Sequence, residues 1–129
     1  MIRITSIQQA LELRGTIPEL AIIRSVQFMG DGYSPEEHGH ILVIQEGDDI
    51  TQIKEIGGIF DDDNLPAFEI IASFVDGESV VFEILFALDS DRTIAVIAEQ
   101  SCLDDDLMAI LQKHSGPPQP LPTLNRRAL

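Results

Sequence analysis

The fold of this chain is decided by Phe-Glu-Ile-Ile-Ala-Ser-Phe-Val-Asp-Gly-Glu-Ser-Val-Val-Phe-Glu-Ile-Leu-Phe-Ala-Leu, residues 68–88. Two apolar runs, rich in β-branched and aromatic residues that suit a pleated surface, flank a short Asp-Gly-Glu turn. After a second turn at 89–92, residues 93–98 continue the apolar pattern. The pattern of residues 68–98 therefore predicts three consecutive antiparallel strands.

Two registers are open for the first hairpin. A two-residue Asp-Gly turn would place Glu83 opposite Ile70, so that each face of the sheet mixes buried and charged groups. A three-residue loop with a bulge pairs Phe74 with Val80 and makes one face wholly apolar. The polar side chains, Glu83 among them, then fall on the other face. Because a slip of one residue moves every side chain to the opposite face, burial favours the second register, and we predict it.

The flanking segments predict the remaining elements. They are a helix over 6–14 capped by Thr5, strands over 21–29 and 41–45, a short helix over 50–56, and a last helix between Ser101 and Gly116. The resulting order, α-β-β-α-β-β-β-α, predicts an α+β fold with an antiparallel five-stranded sheet and helices packed on one face. The element order, and no residue motif, is similar to that of roadblock-type dimerising domains and profilin-like folds.

The C-terminal segment differs in composition from the rest of the chain. Residues 1–115 are predicted to form a single α+β domain, and residues 116–129 a proline-rich tail. The four prolines of this tail favour an extended, polyproline-like path. We expect its leucines to dock on an apolar groove while its two arginines face the acidic surface of the same chain or of a neighbour. These residues are Leu121, Leu124, Leu129, Arg126 and Arg127.

The charge of the chain is one-sided, with 22 acidic and 8 basic residues and a formal net charge of -14. Nonspecific nucleic-acid binding requires a basic surface, and an anionic membrane surface would repel this chain. Solubility alone explains many surface carboxylates. The alternative is that the acidic surface imitates a polyanion or docks on a protein partner with a basic surface. The predicted partner contacts are Asp48, Asp49, Asp61, Asp62 and Asp63.

The sequence predicts a cytoplasmic location. It contains a single cysteine, which excludes an internal disulfide. It contains no run of about 18 apolar residues that would indicate a transmembrane helix. The first residues lack the continuous apolar core of a signal peptide.

The densest group of metal-ligating residues is Glu37, His38 and His40. An extended His38-Gly39-His40 would place both imidazoles on one side of a strand, about 6–7 Å apart. Zinc normally requires three or four ligands with supporting hydrogen bonds, and the alternative is a solvated loop whose histidines enter a strand. A pocket against the sheet near these histidines would favour a small-molecule or metal-binding domain.

Catalytic and cofactor motifs are not apparent in the sequence. No serine lies in a Gly-x-Ser-x-Gly elbow, and no glycine-rich segment continues into the Gly-Lys-Ser/Thr of a phosphate loop. Cys102 is followed at once by Asp104, Asp105 and Asp106, whose charge opposes a thiolate. We therefore predict a non-catalytic acidic protein-interaction module without a cofactor: a small regulator, adaptor or inhibitor. A second copy of the same chain, in a homo-oligomer, is one of its predicted partners. The alternatives are a small-molecule or metal-binding domain and an enzyme without a recognisable motif.

Overall fold

The structure is a computed structural model that describes residues 1–49, 70–87 and 92–123. Its strands are β1 (Ile2–Ile4), β2 (Gly39–Ile44), β3 (Ile70–Asp76), β4 (Ser79–Ala87), β5 (Thr93–Glu99) and β6 (Gln119–Pro120). Its helices are α1 (Ile7–Glu12), α2 (Glu19–Phe28), α3 (Pro35–His38) and α4 (Asp105–Ser115), with a 3₁₀ turn at Gln100–Cys102. The predicted α+β class is confirmed. The predicted short helix over 50–56 lies outside the described residues.

Within the described ranges the strands form one mixed sheet of six, in the order β1-β2-β5-β4-β3-β6. The predicted antiparallel five-stranded sheet is therefore wrong in both strand number and direction. The meander of β3, β4 and β5 is antiparallel as predicted, but β5 then runs parallel to β2, and β6 runs parallel to β3. The near-continuous apolar run of β2 is typical of a strand buried on both faces, which is the environment of parallel pairs.

The first hairpin adopts neither of the two registers considered from the sequence. Asp76 pairs with Ser79, so that Gly77 and Glu78 form a two-residue loop, and Ala72 faces Glu83. Gly77 has a φ of +63°, as expected for the first central position of a type II′ turn. The predicted Phe74–Val80 pairing is wrong because it assumed that only one face of the sheet is buried.

Helices cover both faces of the sheet, so the prediction of helices on one face is also wrong. Alternate residues along each strand point to opposite faces. One set packs with α1 and α2 in a core that includes Leu20, Ala21, Ile41, Val43, Phe74, Val81 and Ile97. The other set packs with α4 in a core that includes Leu42, Phe82, Ile84, Val96, Leu107 and Leu111. We call these the α2 face and the α4 face.

The predicted strand over 21–29 is instead the helix α2. Most of its residues are buried, so the run is apolar almost all round and shows no clear period. Such a run cannot be assigned to helix or strand by periodicity alone. Four residues remain at least partly exposed: Glu19 begins the helix, and Arg24, Gln27 and Phe28 are spaced to share one side of it.

The helix starts and the element order also differ from prediction. Helix α1 is capped by Ser6, whose hydroxyl accepts from the Gln9 backbone N–H at 3.1 Å, and not by Thr5. Helix α4 is capped by Asp104, which accepts from the Leu107 N–H at 2.7 Å. The described chain opens with a strand followed by three helices, an order that departs from the roadblock-type analogy.

The C-terminal segment contributes to the same sheet. Gln119 pairs with Phe74 and Pro120 with Val75, at the edge of the sheet. Leu121 packs against the core of the α2 face, as expected for a docked tail. Leu124, Arg126, Arg127 and Leu129, the remaining residues of the docking prediction, lie outside the described residues.

Candidate ligand cavity

A cavity of about 470 Å³ opens where β2 and β5 begin, beside the C-terminal end of α2. Its wall is formed by Gln27, Phe28, Met29, Tyr33, His38, Gly39, His40, Ile41, Leu85 and Thr93. Small-molecule sites commonly have volumes of about 300–1,000 Å³ and a mostly apolar wall with a few placed polar groups. Both features are present here. None of these wall residues is a carboxylate, lysine or arginine, in a chain with a net charge of -14.

One side of the cavity is fixed by Tyr33. Its hydroxyl donates to the carbonyl oxygen of Gly39, and its ring stacks on His38 with centroids 5.9 Å apart. Burial raises the pKa of Tyr33, so its hydroxyl remains protonated and continues to act as a donor at neutral pH. The aromatic wall is therefore tied to the backbone at the start of β2.

Gly39 permits the close approach of β2 and β5 at the base of this wall. Its φ is +95°, and a Cβ atom built on it would lie 1.9 Å from the Thr93 carbonyl oxygen. No other residue fits this position without moving the backbone of β5.

The opposite side of the cavity rests on an ion pair between α2 and β4. Arg24 donates to Glu83 through Nε at 2.5 Å and through Nη2 at 2.7 Å. The Glu83 side chain is 2% exposed and that of Arg24 17%. The remaining terminal nitrogen, Nη1, donates to Gln27 Oε1 at 2.7 Å. The guanidinium also lies 5.8 Å from the ring centroid of Phe28 and 5.7 Å from that of Phe74.

The two predicted metal-binding histidines line the cavity, but they make different contacts. His40 Nε2 contacts Arg3 Nη1. His38 Nδ1 lies 3.1 Å from the backbone nitrogen and 3.2 Å from the carbonyl oxygen of Ser34. Glu37 is exposed on α3. Among the described residues, no three His, Cys, Asp or Glu side chains are grouped so that they could hold a metal ion.

Of the five predicted partner-binding carboxylates, the structure describes Asp48 and Asp49. Asp48 accepts from the Gln45 backbone N–H at 2.9 Å and lies 2.6 Å from the Met1 ammonium. These contacts hold the pKa of Asp48 below its usual value, with the ammonium as the main cause. Asp49 is exposed, and Asp61, Asp62 and Asp63 lie outside the described residues.

Cys102 lies in the 3₁₀ turn before α4 and not at the start of the helix as predicted. Burial raises the pKa of its thiol, and the carboxylates of Glu99, Glu46 and Asp48 raise it further, while a hydrogen bond with Ser101 opposes them. The carboxylates that raise this pKa are therefore not those of Asp104–Asp106, which the sequence indicated.

The sequence indicated His38 and His40 but missed the α2 and β4 residues of the site. The available signal was a pair of opposite charges, Arg24 and Glu83, each within an otherwise apolar run. Charged residues in such runs are rarely buried unless they are paired.

Comparison of the chain with protein-family models, with curated proteins and with solved structures gives no match. No helix in the described ranges is both long and apolar enough to cross a membrane.

Proposed function

We propose that this chain is a non-catalytic binding domain that takes a small molecule in the cavity at the start of β2 and β5. The observation that carries the proposal is the construction of that cavity. The wall combines apolar side chains with polar ones, and contacts behind it hold two of the polar side chains. Gln27 is held through Arg24 and Glu83, and Tyr33 through the Gly39 carbonyl oxygen. This is the arrangement by which ligand sites obtain both affinity and orientation.

The contacts of the wall support binding in preference to catalysis. The described wall contains neither a carboxylate nor a thiol. The hydroxyl of Tyr33 is engaged by the Gly39 carbonyl oxygen, and one nitrogen of His40 is engaged by Arg3. General acid–base catalysis needs a group that is free to exchange its proton with the substrate. The Tyr33 hydroxyl and this nitrogen of His40 are held as fixed hydrogen-bonding partners instead.

The test is a screen of small fragments, both charged and uncharged, against the ¹⁵N-labelled chain by ¹H–¹⁵N NMR. We expect saturable shifts confined to the backbone amides of residues 27–41, Leu85 and Thr93. Leu85→Trp fills the cavity and should abolish them, whereas Ile110→Trp, on the outside of α4, should not. Shifts that are scattered over the chain, or that persist in Leu85→Trp, would refute the proposal.

A second candidate function is the binding of a protein with a basic surface. It is favoured by the net charge of -14 and by exposed carboxylates in several described segments, such as Glu36, Glu37, Asp49 and Asp105. Affinity capture from host lysate should then recover a basic protein at low salt and lose it at high salt, because exposed charges are screened within about 10 Å at 0.1 M. Recovery of this chain alone would point to self-association instead.

A further inference from the structure

We infer that the cavity selects an uncharged, planar ligand bearing a carbonyl oxygen, and that the Gln27 side-chain amide donates to that oxygen. The inference rests on the proposed function, since it names the class of ligand for the same cavity. It depends on three observations: the orientation of the Gln27 amide, the aromatic wall, and the distribution of charge around the cavity.

The buried ion pair determines which end of the Gln27 amide is available. Glu83 accepts from two nitrogens of the Arg24 guanidinium, and the third nitrogen, Nη1, donates to Gln27 Oε1 at 2.7 Å. A guanidinium has no acceptor, so the amide oxygen must face Arg24. The two Nε2 protons have no partner among the described contacts of Gln27, and Gln27 lines the cavity. The cavity therefore offers a donor, and the complementary ligand group is an acceptor.

The aromatic side chains favour a flat ligand. Phe28 is 47% exposed and lines the cavity. Tyr33 is held by its hydroxyl on Gly39, with one face of its ring against His38. Aromatic rings prefer offset-stacked or edge-to-face partners, and fixed rings make such a contact without a further loss of rotamer freedom.

The charges around the cavity disfavour an ionic ligand of either sign. An anion would approach a chain with a net charge of -14, would find Arg24 already neutralised by Glu83, and would find Arg3 already in contact with His40. A cation would meet the guanidinium that already lies over the Phe28 ring, with no carboxylate in the described wall to pair with it. An uncharged ligand avoids both costs.

The inference is tested with benzamide, benzoate and benzamidinium, which have nearly the same shape and carry no charge, a negative charge and a positive charge. Each is titrated into the ¹⁵N-labelled chain while the Gln27 side-chain amide and the backbone amides of Tyr33, His38 and Thr93 are followed. Benzamide should shift these signals saturably and bind about tenfold or more tightly than either ion, since a buried charge without a partner is costly.

Gln27→Glu tests the donor directly. The carboxylate keeps the contact with Arg24 but removes both amide protons, so benzamide should bind about fivefold or more weakly while the melting temperature holds. Gln112→Glu makes the same charge change at an exposed position on α4 and should bind benzamide like the parent chain. A variant Gln27→Glu that binds benzamide as tightly as the parent would overturn the role of Gln27.

The remaining outcomes separate this inference from the proposed function. Benzoate or benzamidinium binding in the cavity as tightly as benzamide would overturn the ligand class and leave the cavity as a small-molecule site. If none of the three probes shifts the cavity signals, the ligand class is again overturned. The proposed function is then decided by the broader fragment screen with Leu85→Trp.

Discussion

Glu83 is the only charged residue that is buried in the described part of the chain, and its burial explains the contacts that surround it. Burying a carboxylate is costly unless a partner with matching geometry compensates. Arg24 supplies that partner through two parallel hydrogen bonds, and it is itself covered by Phe28 and Phe74. The pair thus joins α2 to the centre of the sheet directly behind the cavity wall.

Removing one member of this pair should be strongly destabilising. Glu83→Leu leaves the Arg24 guanidinium without its counter-ion at a largely buried site, and we expect a loss of about 3–5 kcal/mol in the free energy of unfolding. Urea denaturation measures it. The double variant Arg24→Met with Glu83→Leu should recover most of this loss. Arg14→Gln, which breaks the exposed Arg14–Glu19 pair, should cost only about 0–1 kcal/mol. A cost of Glu83→Leu no greater than that of Arg14→Gln would contradict the expectation.

The pKa of the Cys102 thiol should lie above that of a free cysteine. Its pKa is raised by burial and by nearby carboxylates, so less thiolate is present at a given pH than for a free cysteine. We expect the rate of alkylation by iodoacetamide to be low at pH 8 and to rise at higher pH than that of glutathione. Glu46→Gln removes one of the carboxylates and should lower the pKa and speed the reaction. Glu37→Gln makes the same charge change on α3 and should have no effect. Rapid alkylation of the folded parent chain would refute this expectation.

Among the elements, the start of β2 imposes the tightest steric requirement. Three glycines in the same region differ in what they require. Gly30 has neither a positive φ nor a close neighbour, Gly32 has a φ of +78° in open space, and Gly39 has both a φ of +95° and the Thr93 backbone beside it. They therefore separate the cost of an unfavourable backbone conformation from the cost of a steric clash.

Substitution by alanine should follow that order. We expect Gly30→Ala to change stability by less than about 1 kcal/mol, and Gly32→Ala to cost about 1 kcal/mol or slightly more for the backbone strain alone. Gly39→Ala should cost about 3 kcal/mol or more, because strain and overpacking add. Thermal and urea unfolding of the three variants check the series. Equal costs for Gly32→Ala and Gly39→Ala would mean that β5 moves aside at no cost.

Prediction from sequence succeeded for some elements and failed for others for identifiable reasons. The β3–β5 meander was predictable because its turns and β-branched runs are local signals. Helix α2 was not, because burial on nearly all sides removes the polar stripe that marks a helix. The predicted register of the β3–β4 hairpin was wrong for a related reason, since it assumed that one face of the sheet is exposed, and α2 covers that face. The parallel pairing of β2 with β5 depends on contacts between distant residues, which local pattern does not encode.

At the scale of the whole molecule, the same limits apply to the site. His38 and His40 were identifiable from their side-chain chemistry alone. Gln27, Leu85 and Thr93 have no distinctive sequence pattern, and they meet only because α2, β4 and β5 reach the same end of the sheet. The composition shows that the chain is acidic, but it does not show that the described residues of the cavity wall include no carboxylate.

The net charge of -14 should make the stability of the folded chain depend on salt. Folding brings the surplus carboxylates closer together, and their mutual repulsion weakens as the screening length falls from about 30 Å at 0.01 M to about 8 Å at 0.15 M ionic strength. We expect the melting temperature to rise by several degrees over this range, equivalent to roughly 1 kcal/mol.

Sodium and potassium chloride should act alike, since ionic strength and not ion identity is the cause. The buried Arg24–Glu83 pair is shielded from solvent and should be little affected by the screening. Repeating the series near pH 5, where fewer carboxylates are ionised, should reduce the effect. A melting temperature that falls as salt is added would mean that attractive surface ion pairs outweigh the repulsion.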